Sequence, residues 1–248
     1  GNRLFANLLQ NPGWYPLEGR FGLAPMILAS LAVMLGAILI ALPLGLINGI
    51  YLEFYASAAF ARGFRLLLNL LAGIPSVVFG LWGLTRLVPW ITQWQPPGAS
   101  LLAAILVLSL MILPTIALTS ASALASVPRE LHTGAIALGL RRTSQIIHIM
   151  LPAARSGIVA GTILAAARAL GETMAVLMVA GNVVQIPATL FEPVRVLTAN
   201  MALEMAYAVG EHRASLFASG LLLTLVVWGL SWMAYRLGRH QRKFARHD

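Results

Sequence analysis

The sequence predicts an all-α, polytopic membrane helix bundle, and three observations carry that expectation. Of 248 residues, 59% are hydrophobic and only 10% charged, with a mean hydropathy of +0.82. A soluble domain of this length has too little interior to hide so much apolar surface. Apolar stretches recur at the length, roughly 20 residues, that crosses a bilayer. Basic residues alternate between rich and poor connections, as membrane orientation requires.

Five spans follow, at residues 23–52, 66–88, 101–123, 156–180 and 216–237. Residues 1–22, with Pro12, Gly13, Trp14 and Pro16, read as an external loop ending at an aromatic interfacial anchor. Pro43 is expected to kink the first span and Pro114 to interrupt the third. The second span meets Gly73-Ile74-Pro75-Ser76, a break at a depth where backbone groups need partners from neighbouring helices or a watery cavity. Trp90, Trp94 and the Pro96-Pro97-Gly98 turn mark the next external interface.

Residues 124–155 form the longest cytoplasmic connection. Ser126 with Pro128 predicts a helix start, and Leu131, Ala135 and Leu138 give that helix an apolar face. Gly139 ends it, Thr143 or Ser144 opens a second helix, and Pro152 stops the second one. The pair makes a cytoplasmic knob, either a connector on the membrane surface or a docking element for a soluble partner. Residues 182–214 read as an external loop with a helical stretch near 194–209. Arg195, Asn200, Glu204 and Glu211 make it too polar to span, so it is a cap or a half-inserted segment. The transmembrane domain then covers 23–237, and 238–248 is a basic tail.

Charge fixes orientation. Arg62, Arg65, Arg129, Arg141, Arg142, Arg155, Arg236, Arg239, Arg242, Lys243 and Arg246 fall on one side, against Arg3, Arg20, Arg86, Arg195 and Arg213 on the other. Eleven against five puts the tail in the cytoplasm and the first residue outside. An external start with five spans predicts a sixth, N-terminal helix upstream of Gly1.

The net charge of +9 does not point to nucleic acid, because no basic run is interleaved with aromatics. There is no cysteine, which excludes disulfides and thiolate metal sites. No phosphate loop, nucleophile elbow or metal-ligand spacing occurs. His132, His148, His240 and His247 read as ordinary solvated histidines.

The most informative residues are Arg168 and Glu172, inside the fourth span. Four residues is close to one helical turn, so on a continuous helix both side chains share a face. Ionisable groups at membrane depth are costly and mark a substrate path, a relay or a buried pair.

Three segments together resemble the membrane subunits of ABC importers, most closely the PstC-like permeases of phosphate importers. Gly139 followed by Ile149-Met150-Leu151-Pro152 is similar to the importer coupling-loop pattern. Arg168-Ala-Leu-Gly-Glu-Thr-Met-Ala-Val176 with Gly181-Asn182 is the strongest match, and the segment from Leu71 to Gly83 is similar to the family's broken helix. The usual Glu-Ala-Ala before the glycine is Thr133-Gly134-Ala135 here, and Glu130 is the acidic residue available one turn earlier.

The resemblance implies a type I, MetI-like permease fold. It implies a PstA-like sister permease, two ATP-binding PstB-like subunits and an external phosphate-binding PstS-like protein. ATP and Mg would belong to the partner ATPase, with no cofactor or metal in this chain. It assigns Arg168, Glu172, Thr173, Ser76 and Asn182 to the substrate pathway. To ATPase coupling it assigns Glu130, Thr133, Gly134, Ala135, Gly139, Ile149, Leu151 and Pro152. Rival readings are a permease for sulfate or molybdate, a proton-coupled secondary carrier using Arg168 and Glu172, and a structural or sensory subunit.

Overall fold

The computed structural model describes residues 13–244, with side chains to residue 238. The expectations for residues 1–12 and for the side chains of the basic tail, including His240 and His247, lie outside these. The chain opens with a short hairpin, β1 (Trp14–Tyr15) and β2 (Arg20–Phe21), antiparallel with Trp14 opposite Phe21. Helices follow: α1 (Ala24–Ile50), α2 (Ala58–Gly73), α3 (Ser76–Trp82), α4 (Val88–Thr92), α5 (Leu101–Ala125), α6 (Arg129–Ala137), α7 (Arg142–Gln145), α8 (Leu151–Gly171), α9 (Met174–Val179), α10 (Leu197–Glu204) and α11 (Gly210–Phe244). π-turns at Tyr51–Tyr55, Gly83–Leu87 and Ile146–Met150 extend α1 and join α3 to α4 and α7 to α8.

Among the described residues, four helical stretches are long and apolar enough to cross a membrane: Ala24–Tyr55, Leu101–Ala125, Arg142–Gly171 and Gly210–Gly238. A fifth candidate, Ala58–Gly73 with Ser76–Thr92, is bent by 87° and is a broken span or a re-entrant loop. The break falls at Gly73-Ile74-Pro75, as expected from the residue before proline being driven out of the helical region.

The other prolines behave differently. Pro43 and Pro114 lie inside unbroken helices, so the third span is not interrupted. Each removes a single hydrogen bond, which helices in lipid tolerate when neighbouring groups satisfy the freed carbonyl. Pro152 does not stop a helix either. In the preceding π-turn the Leu151 N–H reaches back five residues to the Ile146 carbonyl. The wider turn leaves room for a proline ring where an α-turn would clash. The second helix of the knob therefore continues through Pro152 into α8, as one stretch from Arg142 to Gly171. Pro89 follows the Gly83–Leu87 π-turn at the same spacing, after Val88 N–H bonds Gly83 O.

The chain divides into two compact units. The first comprises residues 13–37, 74–111 and 167–228. Its core gathers Trp14, Phe21, Leu23, Met26, Leu197, Ala208 and Leu216. Here α3 lies directly on α9: a Cβ on Gly80 would come within 2.9 Å of the Ala175 Cα, and one on Gly83 within 2.8 Å of Val179. Both glycines are contact points at which any side chain would separate the helices.

The second unit comprises residues 38–73, 112–166 and 229–244. Its part of α1 packs on α5 through Gly45 and Gly49, where a Cβ would meet Ile116 at 2.7 Å and Ser120 at 2.8 Å. Ala123, Leu124, Val127, Met150 and Ala154 form its cluster at the base of the knob.

Candidate functional site

The five residues assigned to the substrate pathway all fall in the first unit, around two helix breaks. Arg168 sits in the last turn of α8 and is exposed. Glu172 is not on that helix. The expected continuous span 156–180 ends at Gly171, and α9 starts afresh at Met174. The helix that would place Arg168 and Glu172 on one face ends at Gly171, one residue before Glu172. The Glu172 carboxylate instead turns forward, where Oε1 accepts the Ala175 N–H at 3.3 Å and caps α9. Its N–H donates to the Ala169 carbonyl at 3.3 Å. Thr173 occupies the position before α9, with its Oγ1 donating weakly to Gly171 O at 3.4 Å.

Ser76 opens α3 just after the other break, half-buried, with Pro75 at the cap position. Gly80 meets Ala175 while Gly83 meets Val179, so α3 and α9 run parallel. Their first residues, Ser76 and Met174, consequently lie toward the same end of the pair. The structure thus brings Ser76, Glu172 and Thr173 to one end of two packed half-helices. Asn182 is at the other end of α9. It adopts φ of 56°, following Gly181 at 85°, and its Nδ2 donates to the Leu177 carbonyl at 2.7 Å. Its side chain serves the turn that ends α9.

Residues 182–213, expected to be a cap or half-inserted segment, contain the most charged interior of the described protein. Leu197, Thr198, Ala199, Asn200 and Glu204 of α10 are buried. The Glu204 carboxylate, 5% exposed, accepts three hydrogen bonds. Arg195 Nη1 donates to Oε1 at 2.7 Å; Trp14 Nε1 and His212 Nε2 reach Oε2 at 2.7 and 2.8 Å. Arg195 also donates to Asn200 Oδ1 at 3.0 Å and to the Asn182 carbonyl at 2.9 Å. Trp14, Phe21 and His212 pack as a ring cluster around this carboxylate. Trp14 and His212 carry no signal of this role in the sequence. Asn200 and Glu204, one turn apart in an apolar stretch, with Arg195 shortly before them, were the available clue.

The coupling residues all fall in the second unit. Pro128, rather than Ser126, stands before α6; the Ser126 hydroxyl bonds back to the Ser122 carbonyl of α5. Ala135 is buried while Glu130, Thr133 and Gly134 face outward. Thr133 Oγ1 is satisfied by the Arg129 and Glu130 carbonyls. Gly139 has φ of 68°, and the Gly139 and Leu140 N–H groups bond the Ile136 and Ala135 carbonyls. That is a Schellman closure, and it requires the left-handed conformation that glycine adopts freely. Gln145 Nε2 holds the Leu140 carbonyl at 2.7 Å. An open groove of about 290 Å³ lies beside the turn, lined by Phe54, His132, Ile136, Arg142, Ile146 and Met150. Ile149 and Leu151 are half-buried and Pro152 is exposed, on the side of the helix that follows the groove.

Among the described residues no group of three or more His, Cys, Asp and Glu is placed to hold a metal ion. The arrangement therefore offers two things: broken helices carrying charge, and an exposed knob on a rigid turn.

The chain is similar to known transport proteins over most of its length. A probable ABC transporter permease of Bacillus subtilis, YqgH, is 38% identical over 88% of this chain and 72% of its own. The phosphate transport system permease protein PstC of Mesorhizobium japonicum is 33% identical over 90% of this chain and 75% of its own. PstC of Haemophilus influenzae is 31% identical, over 90% and 78%. In fold, the chain resembles a structure of the MetNI methionine ABC transporter in an inward-facing conformation. The TM-score is 0.64 at 20% identity, covering 89% of this chain and 94% of that one. Residues 41–244 match the binding-protein-dependent transport system inner membrane component, and the chain belongs to that family.

Proposed function

We propose that this chain is the PstC-like permease subunit of an ATP-driven importer that moves inorganic phosphate across the cytoplasmic membrane. Permeases named for phosphate transport in several bacteria align with most of the chain at 31–33% identity, and that observation carries the reading. The subunit transports and does not hydrolyse ATP. It works with a PstA-like sister permease, two PstB-like subunits that bind ATP and Mg, and an external PstS-like phosphate-binding protein. The knob and the tail after α11 face the cytoplasm; the hairpin and residues 182–214 face outward.

The chemistry suits the cargo. An oxyanion in a low-dielectric path needs a cationic partner, and the guanidinium of Arg168 presents a planar fork matched to phosphate oxygens. Arg168 takes the anion, Ser76 and Thr173 offer hydroxyls at the ends of α3 and α9, and Glu172 balances the arginine when the path is empty. Asn182 closes the turn beyond α9. Glu130, Thr133, Gly134, Ala135 and Gly139 of the knob, with Ile149, Leu151 and Pro152 at the entry to α8, receive force from the ATPase. A secondary carrier has no use for such a knob.

The test is uptake of radiolabelled phosphate by the assembled importer in cells lacking other phosphate transporters. Arg168→Gln should lower uptake by about 10–100-fold, the value of a hydrogen bond to a charged group. Competition by sulfate or molybdate at equal concentration, with phosphate uptake unaffected by Arg168→Gln, would refute the assignment.

A further inference from the structure

We propose that Thr198 and Arg195 are positioning residues: α10 and the segment that leads into it clamp the half-helix α9 at both ends and so set the Glu172–Thr173 turn from which α9 starts. The proposal rests on the reading of that turn as part of the anion path.

A helix break inside a membrane leaves carbonyls at the end of the first segment that need donors. At the break after α8, the Glu172 carbonyl receives the Thr198 hydroxyl at 2.7 Å, from a residue 26 positions downstream and 5% exposed. The opposite end of α9 is held in the same manner. Arg195 Nε donates to the Asn182 carbonyl at 2.9 Å, the Asn182 N–H to Val194 O at 3.0 Å, and the Val194 N–H to Ala180 O at 2.8 Å. α9 has only six residues, too few for its own hydrogen bonds to fix its direction. Beside its packing on α3 and the Ser100 N–H that donates to the Val179 carbonyl at 3.0 Å, these attachments hold its two ends.

α10 is itself immobilised. Its first N–H, on Leu197, donates to Ser30 Oγ of α1 at 3.0 Å. Its last residue, Glu204, is bound by Arg195, Trp14 and His212. Six residues separate Thr198 from Glu204, about 9 Å along a helix. The Trp14 hairpin, the start of α11 and the Glu172 turn are thereby attached to one short rod. Any reorientation of the turn must either carry α10 with it or break the Thr198 hydrogen bond.

Thr198→Val removes the hydroxyl while keeping the shape, and Thr198→Ser retains it. In the reconstituted importer, Thr198→Val should lower the maximal rate of phosphate uptake about tenfold, the effect of one buried hydrogen bond. The half-saturating phosphate concentration should stay within about twofold, since affinity rests on groups that contact the anion. Thr198→Ser should restore the rate. A Val variant that transports at the wild-type rate, or a Ser variant as defective as Val, overturns the clamp.

A second readout does not depend on the cargo. The chain has no cysteine, so T173C supplies a single thiol in the turn, and its alkylation can be timed in membranes. Adding Thr198→Val should speed alkylation about tenfold, and an unchanged rate overturns the proposal. Faster alkylation in a complex that carries no phosphate would support the clamp while refuting phosphate as the cargo.

Discussion

Glu204→Gln isolates the charge of the buried network around α10 from its shape. In the native protein one carboxylate oxygen serves Arg195 and the other serves Trp14 and His212. A glutamine has one acceptor oxygen and one amide nitrogen, so one of the two positions must present a donor to a donor. If the nitrogen faces Arg195, two N–H groups oppose each other and the guanidinium, 20% exposed, loses its anion. If it faces the other pair, His212 can switch tautomer and accept, but the Trp14 N–H is left buried without a partner. Either arrangement also removes the negative charge beside Arg195. Breaking a buried pair by removing one partner costs about 3–5 kcal/mol. On the scale of roughly 2–4 °C per kcal/mol for chains of this size, the thermal midpoint of the purified subunit should fall by about 10 °C. Fluorescence-detected size exclusion after heating measures it. Trp14→Phe is the control. It keeps the ring packed on Phe21 and His212 and removes one of three donors, so it should cost about 1 kcal/mol. A Glu204→Gln midpoint within about 2 °C of the wild type, or a Trp14→Phe loss exceeding it, would refute the network as a stabilising element.

Gly139→Val places a β-branched residue at φ of 68° with open space around its Cβ, so its cost is conformational, about 1–3 kcal/mol. It should uncouple ATP hydrolysis from uptake while the membrane helices still assemble, as measured by hydrolysis of the purified complex. Glu172→Gln keeps the cap on Ala175 and should reduce uptake less than Glu172→Ala, which loses both cap and charge; equal loss in a transport assay would show that charge alone matters. Gly49→Ala pushes a methyl to 2.8 Å of Ser120 and 3.0 Å of the Ala121 nitrogen and should lower the thermal midpoint measurably. Single cysteines at the exposed positions Thr143 and Thr189 should differ toward an impermeant thiol reagent on intact cells, with only the Thr189 variant labelled.

Much of this architecture is visible in the sequence because the bilayer imposes simple rules. The spans in α1, α5 and α11 follow from apolar length alone. The break before Ser76 is legible because Gly-Ile-Pro cannot continue a helix. The break at Glu172 is not, since Ala-Leu-Gly-Glu contains good helix formers and only Gly171 weakens it. What stabilises that break lies elsewhere: the Thr198 hydroxyl that takes the freed carbonyl. Pro152 misleads for the opposite reason. A proline normally ends a helix, but the preceding π-turn has already rearranged the hydrogen bonds that it would disrupt.

The same contrast separates the two sets of candidate residues. Those of the knob are local: Pro128, Gly139 and the turn around Leu140 are fixed by neighbours within a few residues, so their pattern survives in the sequence. Those around α9 are set by contacts across the unit, from Ser30, Trp14, Thr198 and His212. Arg168 and Glu172 attract notice as charges in an apolar stretch, yet the part of the molecule that determines where Glu172 stands is a segment whose charges looked merely external. Arg195 is partly buried, Asn200 and Glu204 are buried, and the Arg195 guanidinium serves both of them; an unmatched charge in such a place would cost several kcal/mol. A polar interruption in an otherwise apolar external loop is therefore better read as one half of a buried network, whose other half, here Trp14 and His212, must be sought far along the chain.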